Sequence, residues 1–177
     1  MCEQMTELRN KNFIRIILLK VPLILLFVSV LNDYNFNYLG LKYFSFNFSY
    51  ILIFYYSVKK SESLGYGLIF IAGLFNDVVV GTPLGVTSLI YLLICGAAAY
   101  LRNITLRPSL MKDWIFFLFT ILFINSISYL ILTYFFNYEI NYLNQFINVL
   151  FTFLFYVIFA KIFSIFDKFG VGDNYAN

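Results

Sequence analysis

The sequence contains no histidine, and this absence excludes several kinds of chemistry. Without an imidazole there is no Ser–His–Asp or Cys–His nucleophilic arrangement and no HExxH zinc site. Two cysteines, Cys2 and Cys95, lie too far apart in the chain to indicate a metal site. Paired carboxylates for acid–base catalysis are also missing, because only Asp77 lies within an apolar stretch. We therefore expect no enzyme, no metal and no cofactor.

Charged residues are scarce as well. They make up 12% of the 177 residues, against about 25% in a typical soluble domain, and 62% of the residues are hydrophobic. A soluble chain of about 150 residues buries only some 70% of the surface it exposes when unfolded, so the apolar excess must face lipid. No basic run interleaved with aromatic residues suggests nucleic acid as a partner. The composition predicts an all-α protein embedded in a membrane.

Apolar runs long enough to cross a bilayer recur along the whole chain. A spanning helix needs about 20 mostly apolar residues. The loops between the runs are short, which predicts one integral membrane domain over residues 1–177 with no extramembrane domain. Six spans are predicted, at residues 16–32, 43–58, 64–80, 84–101, 114–134 and 140–160.

Basic residues segregate to one side of this six-span arrangement. Eleven of the twelve Lys and Arg residues fall on the side of the two termini, and only Lys42 falls on the other. Basic loops face the cytoplasm, so both termini are predicted to be cytoplasmic. The eleven are Arg9, Lys11, Arg15, Lys20, Lys59, Lys60, Arg102, Arg107, Lys112, Lys161 and Lys168.

One segment, GLFNDVVVGTPLG at 73–85, is distinctive. Gly73, Asp77 and Gly81 recur every four residues, which places them on one face of a helix and lets two helices approach closely in lipid. Gly81, Pro83 and Gly85 then predict a tight turn, with Pro83 close to the first position of the next helix.

The fourth predicted span has small residues of its own. The third and fourth spans are therefore predicted to form a close-packed hairpin. The small residues of the fourth span are Gly85, Ser88, Gly96 and Ala99, with Ala97 and Ala98 beside them.

The role of Asp77 is open between two interpretations. An ionisable residue in an apolar run is a candidate functional contact, for instance with a transported ligand. The alternative, which we favour, is that its carboxylate caps the turn by accepting hydrogen bonds from Thr82 or from amides near Gly81. Interior packing is expected for the polar residues of the last two spans, Asn125, Ser126, Ser128, Asn144 and Asn148.

The segment GLIFIAGLFNDVVVGTPLGVTSLIYLL at 67–93 resembles the signature of the MreD family of rod shape-determining membrane proteins. The resemblance lies in a glycine-rich third span, an aspartate and a G-x-PLG turn. Length, six spans and short loops are similar too. The residues that carry the resemblance are Gly73, Asp77, Gly81, Pro83, Leu84 and Gly85.

This resemblance implies a non-enzymatic component of the cell-wall elongation complex in the bacterial inner membrane. It implies MreC as a partner and, through MreC, the MreB filaments and the RodA–penicillin-binding-protein synthase. The implied role is to maintain rod shape during lateral peptidoglycan synthesis.

The family's fold is also similar to that of the substrate-binding subunits of energy-coupling-factor vitamin transporters. That similarity supplies an alternative function, the uptake of a small molecule. Those subunits typically dock through an Ala-x-x-x-Ala surface on the first helix, and the first span here contains no alanine.

Overall fold

The described part of the chain is a bundle of α-helices. A computed structural model describes residues 21–29, 46–59, 64–105, 109–137 and 142–171, and none of these residues lies in a β-strand. We label the helices α1 (21–29), α2 (Phe48–Lys59), α3 (Tyr66–Val80), α4 (Val86–Ile104), α5 (Leu110–Phe136) and α6 (Tyr142–Val171).

Helix α2 lies at the centre of the bundle. Every residue from Ile51 to Val58 is buried, and nearly all of them are apolar. A helix that is hydrophobic around its whole circumference needs neighbours on all sides. Around α2 these neighbours include α4 and α6.

The remaining helices pack in sequence around this core. Helix α4 packs against α2, α3 and α5, and its contact with α3 is the most extensive in the bundle. Helix α6 packs against α5 and α2. Between α5 and α6 the indole of Trp114 stacks on the ring of Phe153 with centroids 4.6 Å apart, and its Nε1–H donates to the Phe153 carbonyl at 3.0 Å. Such a bond satisfies a polar group that lipid cannot.

Among the described residues, three helices are long and apolar enough to cross a membrane: Val86–Ile104, Leu110–Phe136 and Tyr142–Phe166. Tyr66–Val80 is a shorter apolar helix. The outward side chains of α5 and α6 are dominated by Leu, Ile and Phe, a surface that suits lipid and would be a liability in water. The predicted all-helical class is confirmed.

The helices do not begin and end where the predicted spans do. Helix α6 continues to Val171 instead of ending near residue 160, and Lys161 lies within it. Its side chain is exposed. A helix can continue beyond the membrane, because water and charged side chains do not break it. Hydropathy detects only the apolar part of such a helix.

Helix α5 also begins before the span predicted for it. The helix begins at Leu110 instead of residue 114, so that Asp113 lies in its first turn. An acidic side chain there is favoured by the helix dipole, although it lowers the local hydropathy. Helix α2 begins at Phe48, later than the predicted residue 43. Parts of the predicted span 16–32 lie outside the described residues.

Candidate interaction site

Helices α3 and α4 touch backbone to backbone at Gly73. A Cβ atom built on Gly73 would lie 2.4 Å from the Cα of Ser88 and 2.7 Å from its backbone nitrogen. Any side chain at position 73 would therefore collide with the backbone of α4. The Ser88 hydroxyl uses this proximity to donate to the Phe70 carbonyl at 3.0 Å. A glycine at 73 is what allows the two helices to approach this closely.

The carboxylate of Asp77 closes the turn between the two helices. It is 0% exposed and accepts three hydrogen bonds. Oδ1 accepts from the Thr82 hydroxyl at 2.9 Å and from the Thr87 amide at 3.0 Å. Oδ2 accepts from the Gly85 amide at 2.7 Å. These are bonds of the kind that the turn interpretation of Asp77 predicts.

Two of those donors belong to the amino-terminus of α4. Gly85 is the N-cap residue of that helix and has no side chain with which to cap it. The first amides of a helix have no partner within the helix, and they carry partial positive charge. Asp77, on the preceding helix, supplies the missing acceptor and the negative charge. One residue thus ends α3 and caps α4.

The backbone of the turn has the conformation that its glycines permit. Gly81 is the C-cap of α3 with φ +78°, and Gly85 has φ +98°. Both lie in the left-handed region, which side chains other than glycine seldom adopt. The amides of Gly81 and Thr82 both donate to the Asp77 carbonyl, at 2.9 and 3.1 Å. Pro83, predicted close to the first helical position, lies within the turn, three residues before the first helical residue, Val86.

The structure brings together five of the six residues predicted for this site. Gly73 lies in the helix contact, Asp77 beneath the turn, and Gly81, Pro83 and Gly85 in the turn itself.

Gly96 lies apart from this group. It is exposed, and a Cβ atom there would meet nothing within 4 Å. Of the small residues predicted along α4, Ser88 and Ala98 are buried.

Two further residues of this region, Thr87 and Ser88, make hydrogen bonds that the sequence did not predict. Both are buried polar residues just after the turn. Ser88 stood out only as a small residue, and Thr87 contributes its backbone amide, which any amino acid would supply.

An ion pair at the opposite end of the bundle was also missed. Lys59 Nζ lies 3.3 Å from Oδ2 of Asp113, joining the last turn of α2 to the first turn of α5. Asp113 is 1% exposed. Each charge also complements the dipole of its own helix end. The signal in the sequence was one acid and one base at the boundaries of two apolar runs.

The polar residues of α5 and α6 divide into two groups. Asn125 accepts from Gln145 across the two helices at 2.5 Å, and Thr152 accepts from the Asn47 amide at 2.9 Å. Ser126 and Asn144 are exposed, contrary to the expected interior packing.

The described residues were also compared with the requirements of a metal site. Among the residues that the structure describes, no group of three Cys, Asp or Glu side chains comes together to hold a metal ion. The Asp77 carboxylate is occupied by donors of its own chain. The arrangement is a close-packed hairpin in which Asp77, Thr87 and Ser88 are buried.

One comparison with known proteins, a family model, gives a match. Neither the curated proteins nor the solved structures contain a match. The family model described as rod shape-determining protein MreD matches residues 9–166, which is most of the chain and includes the whole α3–α4 hairpin. The chain therefore belongs to the MreD family of rod shape-determining membrane proteins.

Proposed function

We propose that this protein is a non-enzymatic component of the cell-wall elongation complex in the bacterial inner membrane. In this role it maintains rod shape and regulates lateral peptidoglycan synthesis through helix-packing contacts with partner membrane proteins. The observation that carries the proposal is the family match over residues 9–166.

The partners proposed are MreC and, through it, MreB and the RodA–penicillin-binding-protein synthase. Support for contacts within the membrane comes from the outer surface of the bundle. Large apolar side chains cover it, among them Phe119, Phe123 and Phe146. From α2 onward, at most six residues separate one helix from the next. In the described part of the chain, the surface open to partners therefore consists mainly of helix faces.

We further propose six spans within one membrane domain, with both termini in the cytoplasm. The basic residues at helix ends support this orientation. Lys59 ends α2, Arg102 lies in the last turn of α4, and Lys112 lies in the first turn of α5. The Lys59–Asp113 pair joins two of these ends at one side of the bundle. Positive charge gathered at one side marks the cytoplasmic face.

The hairpin of α3 and α4 is the part of the molecule that we expect partner binding to depend on. Gly73 and Asp77 fix the relative position of its two helices, and its outer faces remain open. Loosening the hairpin would change the shape of every outer face at once.

Depletion of the protein in its own bacterium tests the proposal. We expect rods to widen and round up, and the labelling of new lateral wall to lose its pattern. Complementation with Asp77→Ala should fail, and complementation with Gly96→Ala should succeed, provided that immunoblots show equal amounts of both variants in the membrane. Unchanged cell width and wall pattern after depletion would refute the proposed role.

A further inference from the structure

Three lysines lie at one level of the bundle. The rings of Phe54, Phe117 and Tyr156 contact one another, with centroids 5.0, 5.8 and 4.5 Å apart. A lysine lies five residues from each of these rings, in the direction of the basic helix ends. Five residues correspond to a rise of about 7.5 Å along each helix. The lysines are Lys59 on α2, Lys112 on α5 and Lys161 on α6.

The directions of the helices place the three lysines on the same side of the rings. Helices α2 and α6 run in the same direction, since Phe46 contacts Phe155 and Tyr56 contacts Phe163. Helix α5 runs in the opposite direction, because its first turn is paired with the last turn of α2. Five residues forward on α2 and α6 and five residues backward on α5 therefore lead to the same end of the bundle.

This level fits one surface of a membrane. From Lys112 to Tyr134 helix α5 rises about 33 Å, and from Tyr142 to Lys161 helix α6 rises about 28 Å. The two tyrosines are 82% and 69% exposed. Tyrosines gather at the membrane–water interface, and the hydrocarbon core is about 30 Å thick. With the tyrosines at one interface, the lysines lie at the headgroups of the other leaflet.

Two of the three lysines carry a charge that no described side chain neutralises. Lys59 is paired with Asp113. Lys112 and Lys161 are exposed, and neither has an ion-pair partner among the side chains that the structure describes. Lys112 lies in the first turn of α5, where the helix dipole disfavours a positive charge. An anion outside the protein would compensate both charges.

The surrounding helix ends and loops are basic as well. Residues 59–63, 101–113 and 160–168 together contain seven basic and three acidic residues. One of the acids, Asp113, is buried and paired. A basic residue close to the surface of a membrane raises the affinity for anionic lipid by about fivefold. An anionic headgroup thus fits this end of the bundle better than a zwitterionic one.

From these observations we infer that Lys112 and Lys161 bind the phosphate groups of anionic phospholipids, which are enriched around the basic end of α5 and α6. The lipid supplies the negative charge that the protein lacks at this level, and its acyl chains lie along the exposed apolar faces of the same helices. The inference rests on membrane insertion of the bundle. It requires no partner protein and does not depend on the proposed role in cell shape.

The chain contains a single tryptophan, Trp114, which lies two residues after Lys112 and serves as the probe. The purified full-length protein is reconstituted into mixed vesicles of phosphatidylglycerol and phosphatidylcholine, of which one or the other carries brominated acyl chains in both leaflets. Bromine quenches tryptophan on contact, so the ratio of the two quenching curves gives the preference for phosphatidylglycerol. The variants are Lys112→Gln, Lys161→Gln and their combination, and Lys112→Arg is the matched control that keeps the charge.

We expect brominated phosphatidylglycerol to quench Trp114 more strongly than brominated phosphatidylcholine. Lys112→Gln should reduce the preference by about fivefold, whereas Lys112→Arg should keep it. Lys161→Gln should reduce it less, because Lys161 lies farther from Trp114. Raising the salt to about 0.5 M should weaken the preference of the native protein, since salt screens exposed charges, and this measurement needs no variant.

Equal quenching by the two brominated lipids in the native protein would overturn the inference. So would a preference that is unchanged in the double glutamine variant when this variant elutes as a single folded species. Soluble glycerophosphoglycerol is added as a competitor without acyl chains. If it abolishes the quenching by brominated phosphatidylglycerol, the lysines bind a free phosphate ester and not a lipid, which would also overturn the inference.

Discussion

Replacing Gly73 by alanine gives the sharpest test of how α3 and α4 hold together. The added Cβ would lie 2.4 Å from the Ser88 Cα, where a normal carbon–carbon contact is about 3.5–4.0 Å. Its two nearest neighbours are backbone atoms, so no side-chain rotation relieves the overlap. The helices must separate by about 1 Å or more, and close contacts along the hairpin are lost.

The magnitude follows from two contributions. Overpacking a tight site costs about 1–3 kcal/mol. Separation also strains the hydrogen bond from the Ser88 hydroxyl to the Phe70 carbonyl, worth about 0.5–1.5 kcal/mol. We expect Gly73→Ala to lower the free energy of unfolding by about 2–4 kcal/mol relative to a matched control.

Gly96→Ala is that control. Gly96 also lies within a helix, but a Cβ there meets nothing within 4 Å. Alanine has a higher helix propensity than glycine by about 1 kcal/mol at either position, so this gain cancels in the comparison. Equilibrium unfolding in mixed micelles of mild detergent and SDS, followed by circular dichroism, measures both variants. Equal stability of the two variants would refute the close helix contact. Adding Ser88→Gly to Gly73→Ala leaves the colliding backbone of α4 in place, so full recovery of stability in that double variant would refute it too.

Three further predictions concern charged groups and topology. Asp77→Asn should destabilise the protein by about 1–3 kcal/mol in the same assay, because the N–H₂ group of the amide would face the N–H and O–H donors that now bond the carboxylate. If the variant is as stable as the native chain, Asp77 does not cap α4. Lys59→Met should destabilise more than the double variant Lys59→Met/Asp113→Asn, because the single change leaves a buried carboxylate unpaired. Lys161→Met removes a charge at an exposed site and serves as the control. If Lys161→Met destabilises the protein as much as Lys59→Met does, the Lys59–Asp113 pair has no structural role. Alkaline phosphatase fused after Thr82 should be active and a fusion at the carboxyl terminus inactive; the reverse pattern would invert the proposed orientation.

The hairpin was predictable because its signals are local. The spacing of Gly73, Asp77 and Gly81 follows helix geometry, and the glycines of the turn mark left-handed backbone. The partner of Gly73 was not predictable, since which residue of α4 lies opposite depends on the geometry of the turn. The Lys59–Asp113 pair was out of reach for a similar reason. Its members come from helices that are distant in sequence, and many pairings would have satisfied the same charges.

Gly96 shows how a correct pattern can include a residue with a different environment. It lies eight residues after Ser88, a rotation of about 80° around α4. Ala98 lies ten residues after Ser88, about 80° to the other side, where it is buried. Both are small and both are close to the face that meets α3. Which of the two sides of α4 is covered depends on where the other helices lie. The spacing of residues along one helix does not contain that information.

The enclosed position of α2 bears on how the chain assembles during synthesis. This helix is made before α4 and α6, so lipid must surround it until they arrive. When α4 and α6 replace lipid around α2, the hydrophobic effect contributes little, because acyl chains and apolar side chains are similarly apolar. Completion of the bundle must then rely on steric fit and on a few directional contacts, such as that of Ser57 with Cys95 at 3.1 Å. A nascent chain arrested before α6 would leave a stable but unfinished intermediate, open to association with other membrane proteins.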